Sequence, residues 1–232
     1  MRTDIDKWDR SAKEYSEFES TSRYSGFCRD FVANRFQSIR GLDVLDAGCG
    51  NGAFTHLLSQ NGGNVTGCDG SAEMLEIARE TYPQYSFDTV DLLAGMPYET
   101  ASFDIVFCNL VLMDIEPIDG VIQEFHRVLK ENGIFFFSIV HPAFYQGPWH
   151  TNGMGIIDGK IVRGYLTVFS ELQSAPWGET AHYHRPVSCY FNKISAAGFR
   201  LERMYEPSVY EDEKIPDIPL YLFAEFSKKV HI

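Results

Sequence analysis

Asp46, Gly48, Gly50 and Gly52 close the apolar run Val44-Leu45-Asp46-Ala47-Gly48-Cys49-Gly50-Asn51-Gly52, and their types and spacing suit the holding of a small ligand. Glycines at alternate positions let a molecule lie against bare main chain, because any side chain would hold it off and because a tight turn there calls for positive φ. The spacing is G-x-G-x-G, not the G-x-G-x-x-G of dinucleotide binders. A second apolar run, Asn64-Val65-Thr66-Gly67-Cys68, also ends in an acid, Asp69, which follows Gly52 by 17 residues. An acid at the end of the second strand of a βαβ unit can reach a ribose diol held by the first glycine turn. The competing role for Asp69 is a helix N-cap, but Ser71 is the better cap for the pattern Met74, Leu75, Ala78 that follows.

These residues need a scaffold of alternating strands and helices. Strands are expected at Asp43 to Ala47, Asn64 to Cys68, Tyr85 to Thr89, Phe103 to Cys108 and Gly133 to Val140, with two more at Leu201 to Tyr205 and Leu220 to Phe226. Helices fill the gaps, among them Ala53 to Ser59, Ser188 to Ala197 and Ile118 to Lys130, whose Val121, Ile122, Phe125, Val128 and Leu129 form one apolar face. Alternation of this kind implies a parallel sheet with right-handed crossovers. Ligands of such sheets bind outside the carboxyl ends of the strands, where the strand order reverses. That rule selects Asp91-Leu92 after the third strand and Asn109 after the fourth.

With Asp46 ahead of it, the glycine run resembles motif I of the class I S-adenosylmethionine-dependent methyltransferases. The stretch Asp69-Gly70-Ser71-Ala72-Glu73-Met74-Leu75 is similar to the family's segment in which the acid binds ribose and the methionine packs under adenine. Asp91-Leu92 matches the place where an acid accepts from the exocyclic amine of adenine and the next amide meets the ring. Phe107-Cys108-Asn109-Leu110-Val111-Leu112 resembles the fourth motif, where the backbone near Asn109 lines the methionine end of the cofactor. In similar methyltransferases a tyrosine placed like Tyr15 reaches that same end. The resemblance therefore implies S-adenosylmethionine as methyl donor, S-adenosylhomocysteine as product, and a cofactor site made of Tyr15, Asp46, Gly48, Cys49, Gly50, Asp69, Gly70, Met74, Asp91, Leu92 and Asn109. It also implies an α/β doubly wound, seven-stranded, mostly parallel sheet with the last strand antiparallel. The resemblance is strong over residues 40 to 140 and looser in the flanks, where Arg127-Val128-Leu129-Lys130-Glu131-Asn132-Gly133 and Ser195-Ala196-Ala197-Gly198-Phe199 match. Asn109-Leu110-Val111-Leu112 departs from the N-P-P-[YF] of the branches that methylate nucleobase and amide nitrogens, which speaks against that chemistry.

Two further segments give the expected layout: a helical cap over 1–40, broken near Ser20 to Ser25, and a lid insertion over 142–187, the whole chain forming one domain with 41–141 as cofactor core and 188–232 completing the sheet. The cap carries Trp8, Ala12, Tyr15, Phe27, Phe31, Val32 and Phe36 at helical spacing. The insertion is 46 residues, too long for a bare connection. Within it Ile156-Ile157-Asp158-Gly159-Lys160-Ile161-Val162 reads as a hairpin turning at Asp158-Gly159. Phe144, Tyr145, Trp149, Tyr165, Phe169, Trp177 and Tyr183 offer aromatic walls for a small organic acceptor and would exclude water from the transferring methyl.

His141 directly follows the fifth strand on the ligand side and is the first candidate for a general base, with His184 second. Arg185 could hold a substrate carboxylate. No metal is expected, since His182 and His184 are two apart with no acid-histidine helix motif. A net charge of −12, with no run of Lys and Arg, disfavours a nucleic-acid partner. Five cysteines without C-x-x-C spacing, no signal-peptide pattern and no membrane-length apolar run point to a cytoplasmic protein with reduced thiols. Oligomeric state is not legible. The expected function is methyl transfer to a small molecule; an RNA- or protein-directed methyltransferase and a non-catalytic S-adenosylmethionine-binding protein are the alternatives.

Overall fold

A computed structural model describes residues 3–209 and 217–229. At its centre is a seven-stranded sheet built from β1 (Asp43–Ala47), β2 (Asn64–Asp69), β3 (Ser86–Thr89), β4 (Phe103–Asn109), β5 (Leu129–Val140), β10 (Phe199–Tyr205) and β11 (Tyr221–Lys228), in the order β10-β11-β5-β4-β1-β2-β3. The pairs among β1 to β5 are parallel, and β11 runs antiparallel to both β5 and β10. The order reverses between β1 and β4, so the crevice for a ligand opens beyond Ala47 and Asn109, where the sequence places its glycines.

The central strands β1, β4, β11 and the latter part of β5 are buried on both faces, as their apolar runs require, while the edge strands β3 and β10 are largely exposed. Phe107 on β4 stacks on Phe136 of β5 with centroids 5.2 Å apart, and both are completely buried. Helix α5 (Asp119–Val128) turns Val121, Ile122, Phe125 and Val128 inward, all fully buried, each worth roughly 1.5–3 kcal/mol by loss of apolar surface to water. Helices α3 (Ala53–Gln60), α4 (Ala72–Thr81) and α6 (Val187–Ala196) complete the layers. The expected ends hold within a few residues except at β5. It begins at Leu129 rather than Gly133, because Leu129 pairs with Phe103 and the irregular step at Asn132, whose φ is 61°, lets pairing resume at Ile134. The last turn expected of the helix ahead of it is therefore strand.

At the amino terminus α1 (Thr3–Thr21) and α2 (Arg23–Arg35) are separated by Ser22, whose hydroxyl accepts from Tyr24 N as the N-cap of α2. The break falls inside the segment the sequence marks.

Two hairpins fill the insertion. In the first, β6 (Trp149–Thr151) pairs with β7 (Ile157–Lys160). The expected Asp158-Gly159 turn is corrected here: these residues sit within β7, with Gly159 opposite His150 and Asp158 bonded to the His150 ring. The turn is Asn152 to Gly155 instead, since the Asn152 side chain accepts from both Met154 N and Ile156 N while Gly155 takes φ 78°. The second hairpin, β8 (Phe169–Ala175) with β9 (Gly178–His184), turns at Pro176-Trp177 and lies against α1. A Cβ on Gly178 would come within 2.7 Å of Ser11 Oγ, so glycine allows that close approach. The sequence reading did not find this hairpin, as its polar and apolar residues alternate weakly. No helix among the described residues is long and apolar enough to cross a membrane.

Candidate active site

The three glycines serve different needs. Gly48, Gly50 and Gly52 all have positive φ, at 77°, 52° and 80°. A Cβ on Gly48 would lie 2.4 Å from Val111 Cγ2, and one on Gly52 would lie 2.8 Å from Phe87 Cζ, so both are also fixed by packing. At Gly50 nothing stands within 4 Å. That space opens into a cavity, and it is where a ligand can rest on the main chain.

Asp69 ties the first turn to the second. Its Oδ2 accepts from Gly50 N at 2.9 Å and its Oδ1 from Ser71 N at 2.8 Å. A carboxylate has about four acceptor positions, so capacity remains for a ribose hydroxyl. Burial pushes the Asp69 pKa up, against the backbone N–H groups of Ser71 and Gly50, which favour the anion. Ser71 is the cap of α4, its hydroxyl accepting from Met74 N at 3.2 Å, as the sequence indicates. Asp46 is buried and accepts from Thr55 Oγ1 at 2.6 Å. Desolvation raises its pKa to about 7, opposed by the Thr55 bond and reinforced by nearby Asp69.

The far wall comes from the ends of β3 and β4. Asp91 accepts from Leu93 N at 3.0 Å and caps the 3-10 turn Leu92–Ala94. Asn109 Oδ1 accepts from Ser138 Oγ at 2.7 Å, and the chain then swings through Leu110 at φ 56°, its N–H donating to Ser138 O. A leucine in that region costs about 1–3 kcal/mol and is held there by its surroundings. The roof is α1, which supplies Ile5, Trp8, Tyr15 and Glu19. Asp9 fastens α1 over α4 by accepting from Ser71 Oγ at 2.7 Å. All eleven residues expected for the cofactor, Tyr15, Asp46, Gly48, Cys49, Gly50, Asp69, Gly70, Met74, Asp91, Leu92 and Asn109, line this one cavity.

A second cavity of about 430 Å³ adjoins it. The two share Trp8, Tyr15, Leu110 and Asp114 as lining. Its other walls come from the lid, through Tyr145, Lys160, Gln173, Trp177, Thr180 and His182, and from Met113, Val140, Leu220 and Tyr221. Trp177 packs edge-on against Tyr15 at 5.4 Å, so the β8/β9 hairpin and α1 form one roof over both spaces.

Residues 45–137 match the family model described as Methyltransferase domain. The chain is 33% identical over 129 residues to the malonyl-[acyl-carrier protein] O-methyltransferase of Enterobacter lignolyticus, covering 56% of this chain and 50% of that protein. It is 27% identical to the ubiquinone biosynthesis O-methyltransferase of Actinobacillus pleuropneumoniae, covering 60% and 65%. Over these residues the chain is similar to class I S-adenosylmethionine-dependent methyltransferase domains. Its cofactor is S-adenosylmethionine. The fold agrees, with a TM-score of 0.74 and 23% identity to the S-adenosylmethionine-dependent methyltransferase of Mesorhizobium loti, over 90% of this chain and 99% of that one. The chain spans about half the length of the first of these relatives.

The histidines of this methyltransferase domain lie elsewhere than the sequence suggests. His141 is buried at the end of β5 with both ring nitrogens engaged: Nδ1 accepts from Ala143 N at 3.2 Å and Nε2 lies 2.7 Å from Glu206 Oε1. His184 bonds to Tyr165 O at 2.9 Å and stacks on Phe169. Neither lines either cavity. Arg185 is likewise taken up within the fold, donating to Leu112 O at 2.9 Å, to Ile115 O at 2.7 Å and to Glu116, so it staples the segment that bears Asp114. His182 does face the second cavity, and burial, opposed by Glu171 and aided by His184 and Arg185, brings its pKa down to about 4. The sequence reading missed Asp114 and Lys160, because an irregular turn and a lid strand give no periodic signal.

Proposed function

We propose that the chain transfers the methyl group of S-adenosylmethionine to a small-molecule acceptor seated in the second cavity. The observation that carries this reading is the wall of Trp8, Tyr15, Leu110 and Asp114 common to the cofactor cavity and its neighbour. Methyl transfer is a displacement at carbon, so the protein must bring the acceptor atom into line with the sulfonium, exclude water and receive a proton where the acceptor carries one. A roof shared by α1 and the β8/β9 hairpin serves the first two needs.

For the third, Asp114 is better placed than His141 or His184. Its side chain has no hydrogen-bond partner among the described residues and it borders both cavities. Burial, reinforced by Asp4 and opposed by Arg185, lifts its pKa well above the usual carboxylate range, nearer to where a base works at neutral pH. The acceptor proton would pass to Asp114 as the oxygen or nitrogen attacks the methyl carbon and S-adenosylhomocysteine leaves.

The names of the relatives, O-methyltransferases of malonyl-[acyl-carrier protein] and of ubiquinone biosynthesis, support a small-molecule or carrier-bound acceptor. The net charge of −12 speaks against RNA. We also place the protein in the cytoplasm, as a single domain, with its buried cysteines reduced. Calorimetric titration with S-adenosylhomocysteine, followed by a screen of metabolite pools for its formation from S-adenosylmethionine, tests the reading. Tight binding with turnover on a metabolite is expected; turnover only on RNA or protein overturns the acceptor class, and binding without turnover on any pool leaves a non-catalytic binder. Once an acceptor is found, Asp114→Asn is expected to lower kcat by roughly two to four orders of magnitude with cofactor affinity kept.

A further inference from the structure

We infer that the acceptor is an aromatic anion, held at its charged end by Lys160 while the atom to be methylated faces Asp114. The inference rests on the proposed function and names the substrate class of that second cavity.

Lys160 closes β7 and lines the second cavity but not the first. Its ammonium donates to Phe144 O at 2.6 Å and to Tyr145 O at 3.2 Å, and it lies 4.8 Å from the centre of the Trp149 ring. An ammonium has three N–H bonds, and two are accounted for. No carboxylate pairs with it among the described residues, in a chain where acids outnumber Lys and Arg by 32 to 20. Other lysines take the opposite course: Lys130 bridges Asp43 and Asp104, and Lys193 meets Asp119. Partial burial pulls the Lys160 pKa down, a desolvation cost that a bound anion would offset.

Nothing else in the lining offers a positive charge, since His182 is held neutral at physiological pH. The rings of Trp8, Tyr145, Trp177 and Tyr221 supply flat apolar walls, and about 430 Å³ suits a molecule of one or two fused rings. The ends of the cavity also set the chemistry apart. The methyl-accepting atom must sit at the wall shared with the cofactor, where Asp114 stands, and Lys160 is absent from that wall. The anion at Lys160 is therefore a handle and not the atom that is methylated.

Two matched fluorescent probes decide this: 6-hydroxy-2-naphthoate and its neutral counterpart 6-hydroxy-2-naphthamide, titrated into the full chain with and without saturating S-adenosylhomocysteine, which fills the cofactor cavity. The carboxylate is expected to bind at least tenfold more tightly than the amide. Lys160→Gln should erase that preference while leaving amide affinity within twofold, and Lys160→Arg should restore most of it, with circular dichroism confirming the fold of both. Equal affinities in the unmodified chain, no binding of either probe, or a preference that survives Lys160→Gln would each overturn the inference. Failure of S-adenosylhomocysteine itself to bind would strike the methyltransferase reading instead, and the titrations without it would still judge Lys160.

Discussion

Gly50 and Asp69 meet through one hydrogen bond, and that contact joins a conformational requirement to a chemical one. Asp69 shapes the glycine turn through Gly50 N and keeps acceptor capacity for a ribose. Asp69→Ala is therefore expected to weaken S-adenosylhomocysteine by more than tenfold, about 1.5–3 kcal/mol for a bond to a charged group, measured by calorimetry on a variant with unaltered circular dichroism. Unchanged affinity would reduce Asp69 to a turn former. Gly50→Val fills the one glycine of the Gly48, Gly50, Gly52 turn that faces open space, so binding should vanish although nothing in the protein is displaced beyond the strain of φ 52°; a normal isotherm would exclude the cradle. His182 yields a test by pH. Its pKa falls from 6.5 to about 4 on folding, so the unfolded chain binds the extra proton between those values. Its contribution to stability is complete above pH 6.5 and is lost as pH falls toward 4, by about 3 kcal/mol in all. Asp46, raised to about 7, works in the opposite direction over an overlapping range, so the comparison is with His182→Gln rather than with pH alone. Urea unfolding at pH 7 and pH 4 should show the parent losing stability relative to the variant; a constant difference would refute the assignment.

At the scale of elements, α1 and the β8/β9 hairpin act as a unit. Asp9 holds α1 to Ser71, Asp4 accepts from Tyr183 Oη at 2.8 Å, Gly178 abuts Ser11, and Trp177 packs between Tyr15 and Phe18. Tyr183 N in turn donates to Met113 O at 2.7 Å, beside Asp114. The helix thus bears, through the lid, on the segment that carries Asp114. Deleting residues 1–25 removes Ile5, Trp8, Tyr15 and Glu19 from the cofactor cavity. The sheet, whose core lies under α5 and α6, should remain folded by circular dichroism while S-adenosylhomocysteine affinity falls at least tenfold. Full affinity in the truncated chain would make α1 a surface ornament.

For the whole molecule, the first cavity is closed by α1 over the ends of β1 to β4, so a cofactor bound there should stabilise the folded state against unfolding. At a ligand concentration near 100 Kd the gain is about 2.7 kcal/mol, which for a chain of this size raises Tm by roughly 5–10 °C. Scanning calorimetry with S-adenosylhomocysteine should show that shift, and RNA at equal mass should show none, given the acidic surface. The reverse result would favour the RNA-directed reading.

The cofactor half of the site was legible in the sequence because its parts are local. Glycines 48 and 50, Asp69, Asp91 and Asn109 each close a strand of a parallel sheet, and that topology alone carries strand ends to one crevice. The acceptor half was not. His141 has the right place in the chain for a base, yet Glu206 and Ala143 N engage both nitrogens of its ring, while Asp114 on the loop after β4 borders both cavities. Asp158-Gly159 has a turn's composition but sits in a strand, because Asn152 binds its own turn more completely. Lys160 and Asp114, 46 residues apart, share a cavity only after the lid folds back over the sheet. Periodicity and strand-end motifs encode contacts between near neighbours, whereas the pairing of a lid hairpin with α1 and the loop after β4 depends on long-range packing, which only the tertiary structure decides.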